Sequence, residues 1–232
     1  MKDNRDPNHA SLTTLEQTPL VLASSNRHKL REFRALLAEL PVILWNPEDI
    51  LPGPPPKIVE DGATFEENAW KKARILAERT GRLTLADDSG LEVDALGGRP
   101  GVRSARFAHE HASDEENNAA LLTALAEVDG EQRTARYRCV LALVDPHRPG
   151  PPVLVGGSCE GLIARAPRGT GGFGYDPLFL VSKTEPSFAG LTMAELSDPQ
   201  RYAIHHRGQA ARALIPVLRR LFSPSSRGSP AI

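Results

Sequence analysis

Four short segments of this 232-residue chain carry side chains that could act on a phosphorylated ligand. The first is Ser24-Ser25-Asn26-Arg27-His28-Lys29, set between the apolar run Pro19 to Ala23 and a helical pattern. A polar turn joining a buried strand to a helix exposes backbone N–H groups at the positive end of the helix dipole, which is a phosphate-binding geometry. Two hydroxyls, an amide and a lysine add donors and charge at the same turn. The same residues would also serve as plain helix caps, with Lys29 in solvent. The glycine pattern of a P-loop is absent.

The second segment is Asp87-Asp88, which closes the short apolar strand Leu83 to Ala86 and precedes Ser89-Gly90. Carboxylates at a strand end lie where ligands bind in open α/β sheets. Two like charges so close repel, and a divalent cation would hold both ionised. Glu60, at a Glu-Asp-Gly turn, offers a third carboxylate, and a hard Mg²⁺ shared with a substrate phosphate fits this supply of oxygen ligands. The alternative is a turn in which one aspartate caps backbone amides. The third segment, Gly169 to Asp176, has glycines at 169, 171, 172 and 174, which permit close approach of backbone to a ligand. Phe173 and Tyr175 within it could stack on a planar base, or the segment could be a tight bulged hairpin. In the fourth, His205-His206-Arg207-Gly208, adjacent histidines do not share a helix face, so a two-histidine metal site is disfavoured. Arg207 and one histidine remain as donors to a ligand, or as a basic surface cluster.

These segments need elements to position them. Leu30, Phe33, Leu37 and Leu40 recur at helical spacing after the first strand. The proline-rich stretch 46–56 reads as an exposed loop. Thr64-x-x-Glu67 opens a second helix in capping-box form, with Phe65, Ala69, Ala73, Leu76 and Ala77 on its apolar face. Ser113 with Glu116 opens a third in the same way. Residues 134–144 and 153–164 read as strands paired in a hairpin across a proline loop at 145–152. The last helix starts at Asp198-Pro199 and runs toward Leu221, with Pro216 expected to kink or interrupt it. This order of elements predicts an α/β fold with a mixed sheet, as one domain over 19–222 between a disordered extension (1–18) and tail (223–232).

Composition narrows the ligand. Lys plus Arg (28) nearly balances Asp plus Glu (29), for a formal net charge of −1. A protein gripping a nucleic-acid backbone should show a basic excess, so small anions are better candidates than polymers. Two scattered cysteines, Cys139 and Cys159, make neither a disulfide framework nor a zinc site and read as small buried hydrophobes. No apolar signal core or membrane-length run is present, so the expected location is the cytoplasm, away from membranes.

Taken together, LASSNRHKLREF (22–33), EDGATFEENAWKKA (60–73), LADDSGLEVDALGGRPGVRSARFA (85–108), TGGFGYDPLF (170–179) and AEL…AIHHRGQA (194–210) resemble the inosine/xanthosine triphosphate pyrophosphatase family, the Ham1-like enzymes. The resemblance implies a two-lobed α/β fold with a long central mixed sheet flanked by helices, usually as a homodimer. It implies Mg²⁺-dependent hydrolysis of purine nucleoside triphosphates with non-standard bases to monophosphate and pyrophosphate. On this sequence, Ser24, Ser25, Asn26, Arg27, His28 and Lys29 would hold the triphosphate. Glu60 and Asp88 would serve the metal with Asp87 in support, and Asp88 would also activate water. Ser89 and Arg201 would contact substrate. Phe173, Gly174, Tyr175 and Asp176 would form the base and ribose pocket, with His206 and Arg207 reading the base. The chain departs from the family pattern at Leu191, Arg201 and His205, where lysine, lysine and serine are usual.

Overall fold

The computed structural model describes residues 17–148 and 150–222. The expected extension and tail therefore lie outside the described residues, except that Thr18 already opens the first strand. Strand β1 (Thr18–Leu22) leads through the Ser-Ser-Asn turn into helix α1 (Arg27–Leu36) and back into β2 (Val42–Trp45), a short strand the sequence pattern did not reveal. The proline-rich stretch after it is loop except for a 3₁₀ turn at Pro47–Asp49, and Pro47 is buried rather than exposed. Helix α2 (Phe65–Thr80) starts where its cap predicts. Thr64 accepts from Glu67 N, but the Glu67 carboxylate reaches back to Ala63 N instead of closing the box on Thr64. Strand β3 (Thr84–Val93), α3 (Asp114–Ala124) behind a complete Ser113–Glu116 capping box, β4 (Thr134–Val144), β5 (Val153–Ile163) and β6 (Phe179–Val181) follow. Helices α4 (Asp198–Ile204) and α5 (His206–Phe222) close the described chain.

The strands form one mixed sheet in the order β2-β1-β3-β4-β5-β6. β1 runs parallel to both β2 and β3, and every later neighbour pairs antiparallel, including the expected β4–β5 hairpin. The lobes share the long strands β3, β4 and β5. On one face of the first lobe, Leu20, Leu22, Leu85, Leu141 and Leu143 pack under α1 and α5. On its other face, Ala86, Val140 and Ala142 pack under α2. In the second lobe, Leu91, Val93, Ala135 and Tyr137 pack with α3 and the β6 region. Side chains alternate across a strand, so odd-numbered residues of β3 share one face. Along it the apolar series Leu85, Leu91, Val93 is interrupted by Asp87 and Ser89, and this polar gap between two cores is where the site forms.

Two sequence expectations about breaks are corrected. The strand expected to stop at Ala86 continues through both aspartates to Val93. The last helix breaks at His205, whose backbone is extended, while α5 runs on past Pro216. The true cap of α4 is Ser197, one residue before Asp198.

Close approach of α5 to the sheet depends on a glycine. A Cβ on Gly157 of β5 would stand 2.3 Å from the His206 carbonyl oxygen and 2.6 Å from Ala210 N, both backbone atoms. Overpacking of this kind typically costs about 2 kcal/mol. Gly157→Ala should therefore lower the urea midpoint with an unchanged m-value, and an unaltered midpoint would show that α5 tolerates lifting off β5.

Candidate active site

β1 pairs with β3 only as far as Leu22–Leu85, so β3 projects past the carboxyl end of β1 carrying Asp87 and Asp88. Because β1 lies between two parallel neighbours, this is a switch point of the sheet, the place where open α/β folds bind ligands. A cavity of about 600 Å³ opens there.

Each aspartate has its own partners, because consecutive residues of a strand face opposite ways. Asp88 turns toward α2, where Lys72 Nζ donates to its Oδ1 at 2.9 Å and Asn68 Nδ2 to its Oδ2 at 3.2 Å. The same ammonium lies 2.9 Å from Glu60 Oε1, so two carboxylates converge on one cation. Burial pushes the Asp88 carboxyl above its ordinary range, with Glu60 assisting and Lys72 opposing. Asp87 turns the other way, where it pairs with Lys29 and accepts from Arg207 Nε at 3.2 Å and from the Cys139 thiol at 3.6 Å. Burial acts to raise its pKa, yet Lys29 and Arg207 outweigh that and hold it well below the usual carboxylate range. The two aspartates thus face opposite sides of the sheet, and Asp87 has Lys29 and Arg207 as counter-charges.

The α1 turn is built as a helix cap. Asn26 Oδ1 accepts from His28 N (2.8 Å) and Lys29 N (3.2 Å), a plain N-cap. Lys29 is not solvated but drawn in to Asp87. Ser24, Ser25, Asn26 and Lys29 all line the cavity.

At the other end stand Phe173, Gly174, Tyr175, Asp176, His206 and Arg207. Arg207 is buried, its Nη2 donates to Ser89 Oγ at 2.7 Å, and its guanidinium lies 5.0 Å from the Phe173 ring centroid. Burial opposes its charge, but Glu32 and Asp87 keep it protonated. Glu32 sits 3.6 Å from Arg207 Nη1 and is bonded to His205 Nε2. Since His205 Nδ1 accepts from Gly208 N at 2.9 Å, its proton resides on Nε2 and is donated to Glu32. Burial works to raise the Glu32 pKa, and Arg207 and His205 bring it below the ordinary value. His206 stacks on Tyr137 with centroids 4.7 Å apart, and burial next to Arg207 holds its pKa well below normal, so it is neutral. Its Nδ1 is buried and finds no hydrogen-bond partner among the described residues. Tyr137 OH donates to Asp176 Oδ1 (3.0 Å), and Tyr175 OH to Ser104 O (2.8 Å).

The structure therefore gathers most of the expected residues around one cavity, but not all. Arg27 is exposed and lines neither that cavity nor its smaller neighbour of about 50 Å³. His28 and Arg201 line only the smaller one, where Arg201 is held by Asp198 and the Leu196 carbonyl. Sequence reading missed Lys72, Asn68, Glu32 and Tyr137. For α2 a signal was present: Phe65, Ala69, Ala73 and Leu76 define a buried stripe, and Asn68 and Lys72 fall inside it at i, i+4 spacing.

Known proteins share this arrangement of chain. A dITP/XTP pyrophosphatase of Geobacter sulfurreducens is 52% identical over 197 residues, covering 85% of this chain and 94% of that protein. One of Syntrophobacter fumaroxidans is 50% identical, covering 84% and 80%. Among solved structures, a HAM1 protein from Coxiella burnetii superposes with a TM-score of 0.77 at 42% identity, covering 88% of this chain and 100% of that one. The Staphylococcus aureus Ham1 protein gives 0.75 at 36% identity, covering 87% and 98%. The Ham1 family model matches residues 20–217, and with relatives of this identity and coverage the chain belongs to the Ham1 family.

Proposed function

We propose that this protein hydrolyses purine nucleoside triphosphates bearing non-standard bases (dITP, ITP and XTP) to the monophosphate and pyrophosphate. The observation that carries the reading is one cavity with a desolvated carboxylate on one wall, a polar helix N-terminus on a second, and an aromatic–arginine pair at its far end. Relatives half identical in sequence are named dITP/XTP pyrophosphatases.

In this reading Ser24, Ser25 and the α1 N-terminus bind the triphosphate, and Lys29 offers charge at the same wall. Asp88 accepts a proton from water as its oxygen attacks phosphorus, and pyrophosphate leaves with the electrons of the broken anhydride bond. A carboxyl made more basic by burial suits that role. Lys72 neutralises charge between Glu60 and Asp88. Those two carboxylates already converge on one cation, and among the described residues no cluster of three or more His, Cys, Asp and Glu forms a cage of protein ligands alone. Such a donor set suits Mg²⁺, which takes one or two carboxylates and completes its shell from substrate and water. When bound, the ion would neutralise charge on the phosphates.

Phe173 offers a face for the base. Donor-only Arg207 favours the C6 oxygen of hypoxanthine and xanthine over the amino group of adenine. Neutral His206 offers one further donor. Arg27, His28 and Arg201 stand outside the main cavity, and we assign them to its surroundings. The reading extends to a cytoplasmic homodimer without a nucleic-acid or membrane partner. The near-neutral charge favours a small anion over a nucleic-acid polymer, and no described helix is long and apolar enough to cross a membrane.

The test is pyrophosphate release from ITP, dITP, XTP, GTP and ATP with and without Mg²⁺. Mg²⁺-dependent turnover of the first three, with weak GTP and ATP hydrolysis, is expected. Equal rates on all five would remove the base-selection argument, and no turnover on any would remove the enzyme.

A further inference from the structure

The Phe173 ring is only partly buried, with His28 (centroids 5.5 Å apart) and the Arg207 guanidinium (5.0 Å) against it, so its direction depends also on the backbone on either side. On one side Phe173 N donates to Asp176 Oδ2 at 3.2 Å, and Asp176 is in turn held by Tyr137. On the other side the chain passes Gly174, in the left-handed region at φ +65°, a conformation with no local support from a side chain. Both polar groups of Gly174 are taken by α3. Its N–H donates to Asp114 Oδ2 at 2.6 Å, and its carbonyl accepts from Asn118 Nδ2 at 2.9 Å. Asp114 and Asn118 are i, i+4 neighbours on one helix face, spaced to reach the same residue. The first of these bonds is charge-assisted and short, hence the stronger anchor.

α3 is itself fixed. Leu121 and Leu125 are fully buried in the second-lobe core. Asn117 accepts from Ala108 N (3.0 Å) and donates to Ala105 O (3.3 Å), tying the helix to the segment that also receives the Tyr175 hydroxyl. A rigid helix thus grips the single residue that separates Phe173 from Tyr175.

We propose that Asp114 and Asn118 are positioning residues of the base pocket, clamping Gly174 so that Phe173 is presented as a stacking face beneath Arg207. This rests on the nucleotide reading above. It places a determinant of base affinity on a helix outside the four segments from which chemistry was read. Preorganising the ring lowers the ordering cost on binding, so loss of the clamp weakens binding of the base without touching the phosphate end.

The experiment compares Asp114→Ala, Asn118→Ala, the conservative Asp114→Asn and, as control for first-turn charge on α3, Glu115→Ala. For Asp114→Ala, KM for ITP should rise about tenfold with kcat within about twofold, the pattern of lost uniform binding. Competitive inhibition by inorganic tripolyphosphate, which has no base, should be unchanged. Asp114→Asn, which keeps an acceptor, should recover most of the loss, and Glu115→Ala should match wild type. Amide exchange over 172–176 should accelerate in both alanine variants at Asp114 and Asn118. Unchanged KM with unchanged exchange would overturn the proposal, as would equal losses for ITP and tripolyphosphate. If wild type fails to turn over ITP, the functional reading falls, while the exchange comparison still decides whether α3 clamps the loop.

Discussion

Asp88→Asn should lower kcat for the best substrate by about 10³-fold, the typical scale for losing a positioned general base. The two aspartates are adjacent in sequence, yet only Asp88 combines a desolvated carboxyl, a raised pKa and a place on the cavity wall beside Glu60. Asp87, ionised and locked to Lys29 and Arg207, is a poor proton acceptor. The substitution also has a structural cost that can be read from the donors. Lys72 and Asn68 each donate to a different Asp88 oxygen, and an asparagine can accept from only one of them. Its amide would face the other donor, so stability should fall by about 1–3 kcal/mol while the fold persists. Steady-state kinetics paired with urea denaturation separates the two effects. Turnover within tenfold of wild type in a folded Asp88→Asn protein would remove Asp88 as the base.

Much of the scaffold was legible in the sequence because it follows from local signals. Thr64 and Ser113 cap their helices as written, the apolar periodicity of α1 marks Leu30, Phe33 and Leu37, and the 134–163 hairpin follows from two runs across a proline loop. What escaped was set by tertiary partners. Local pattern ends β3 at Ala86 because two carboxylates look like a turn. They stay in a buried strand because Lys72 and Asn68 arrive from α2, Lys29 from α1 and Arg207 from α5. Glu32 escaped because sequence does not say that a charge on a helix will meet opposite charges from a distant segment, here His205 and Arg207. The break at His205 was hidden for a related reason. His205 ends one helix and caps the next through Nδ1, while its Nε2 is held by Glu32, more than a hundred residues earlier. Pro216, the louder local signal, sits within an unbroken α5. The five motifs supply most of the residues named from the sequence that the fold gathers around one cavity, and the pairing of charges across the sheet came only with the fold.

That pairing makes the stability of metal-free protein sensitive to Asp87. Asp87→Ala would leave buried Arg207 and largely buried Lys29 without the carboxylate between them, and removing one member of a buried ion pair costs about 3–5 kcal/mol. Lys29 keeps a path to the cavity, so Arg207, left with Glu32 as its carboxylate partner beside Ser89 and the Phe173 ring, carries most of the penalty. The sign of the pH dependence follows from the depressed pKa. In the unfolded chain Asp87 titrates near ~3.9, and in the fold it stays ionised to much lower pH. Its contribution is therefore fully present above the unfolded value and is lost as pH falls below it toward the folded value. Denaturation of wild type and Asp87→Ala from pH 7 to the acid limit should show a constant gap down to about pH 4, narrowing below that at up to ~1.4 kcal/mol per pH unit. Other carboxylates titrate in both proteins, so the difference between them isolates Asp87. A gap that stays level through the acid range would mean that the Asp87 charge contributes nothing and that alanine acts only through lost volume. Asp87→Asn, which keeps the volume, would then match wild type instead of falling with the alanine variant.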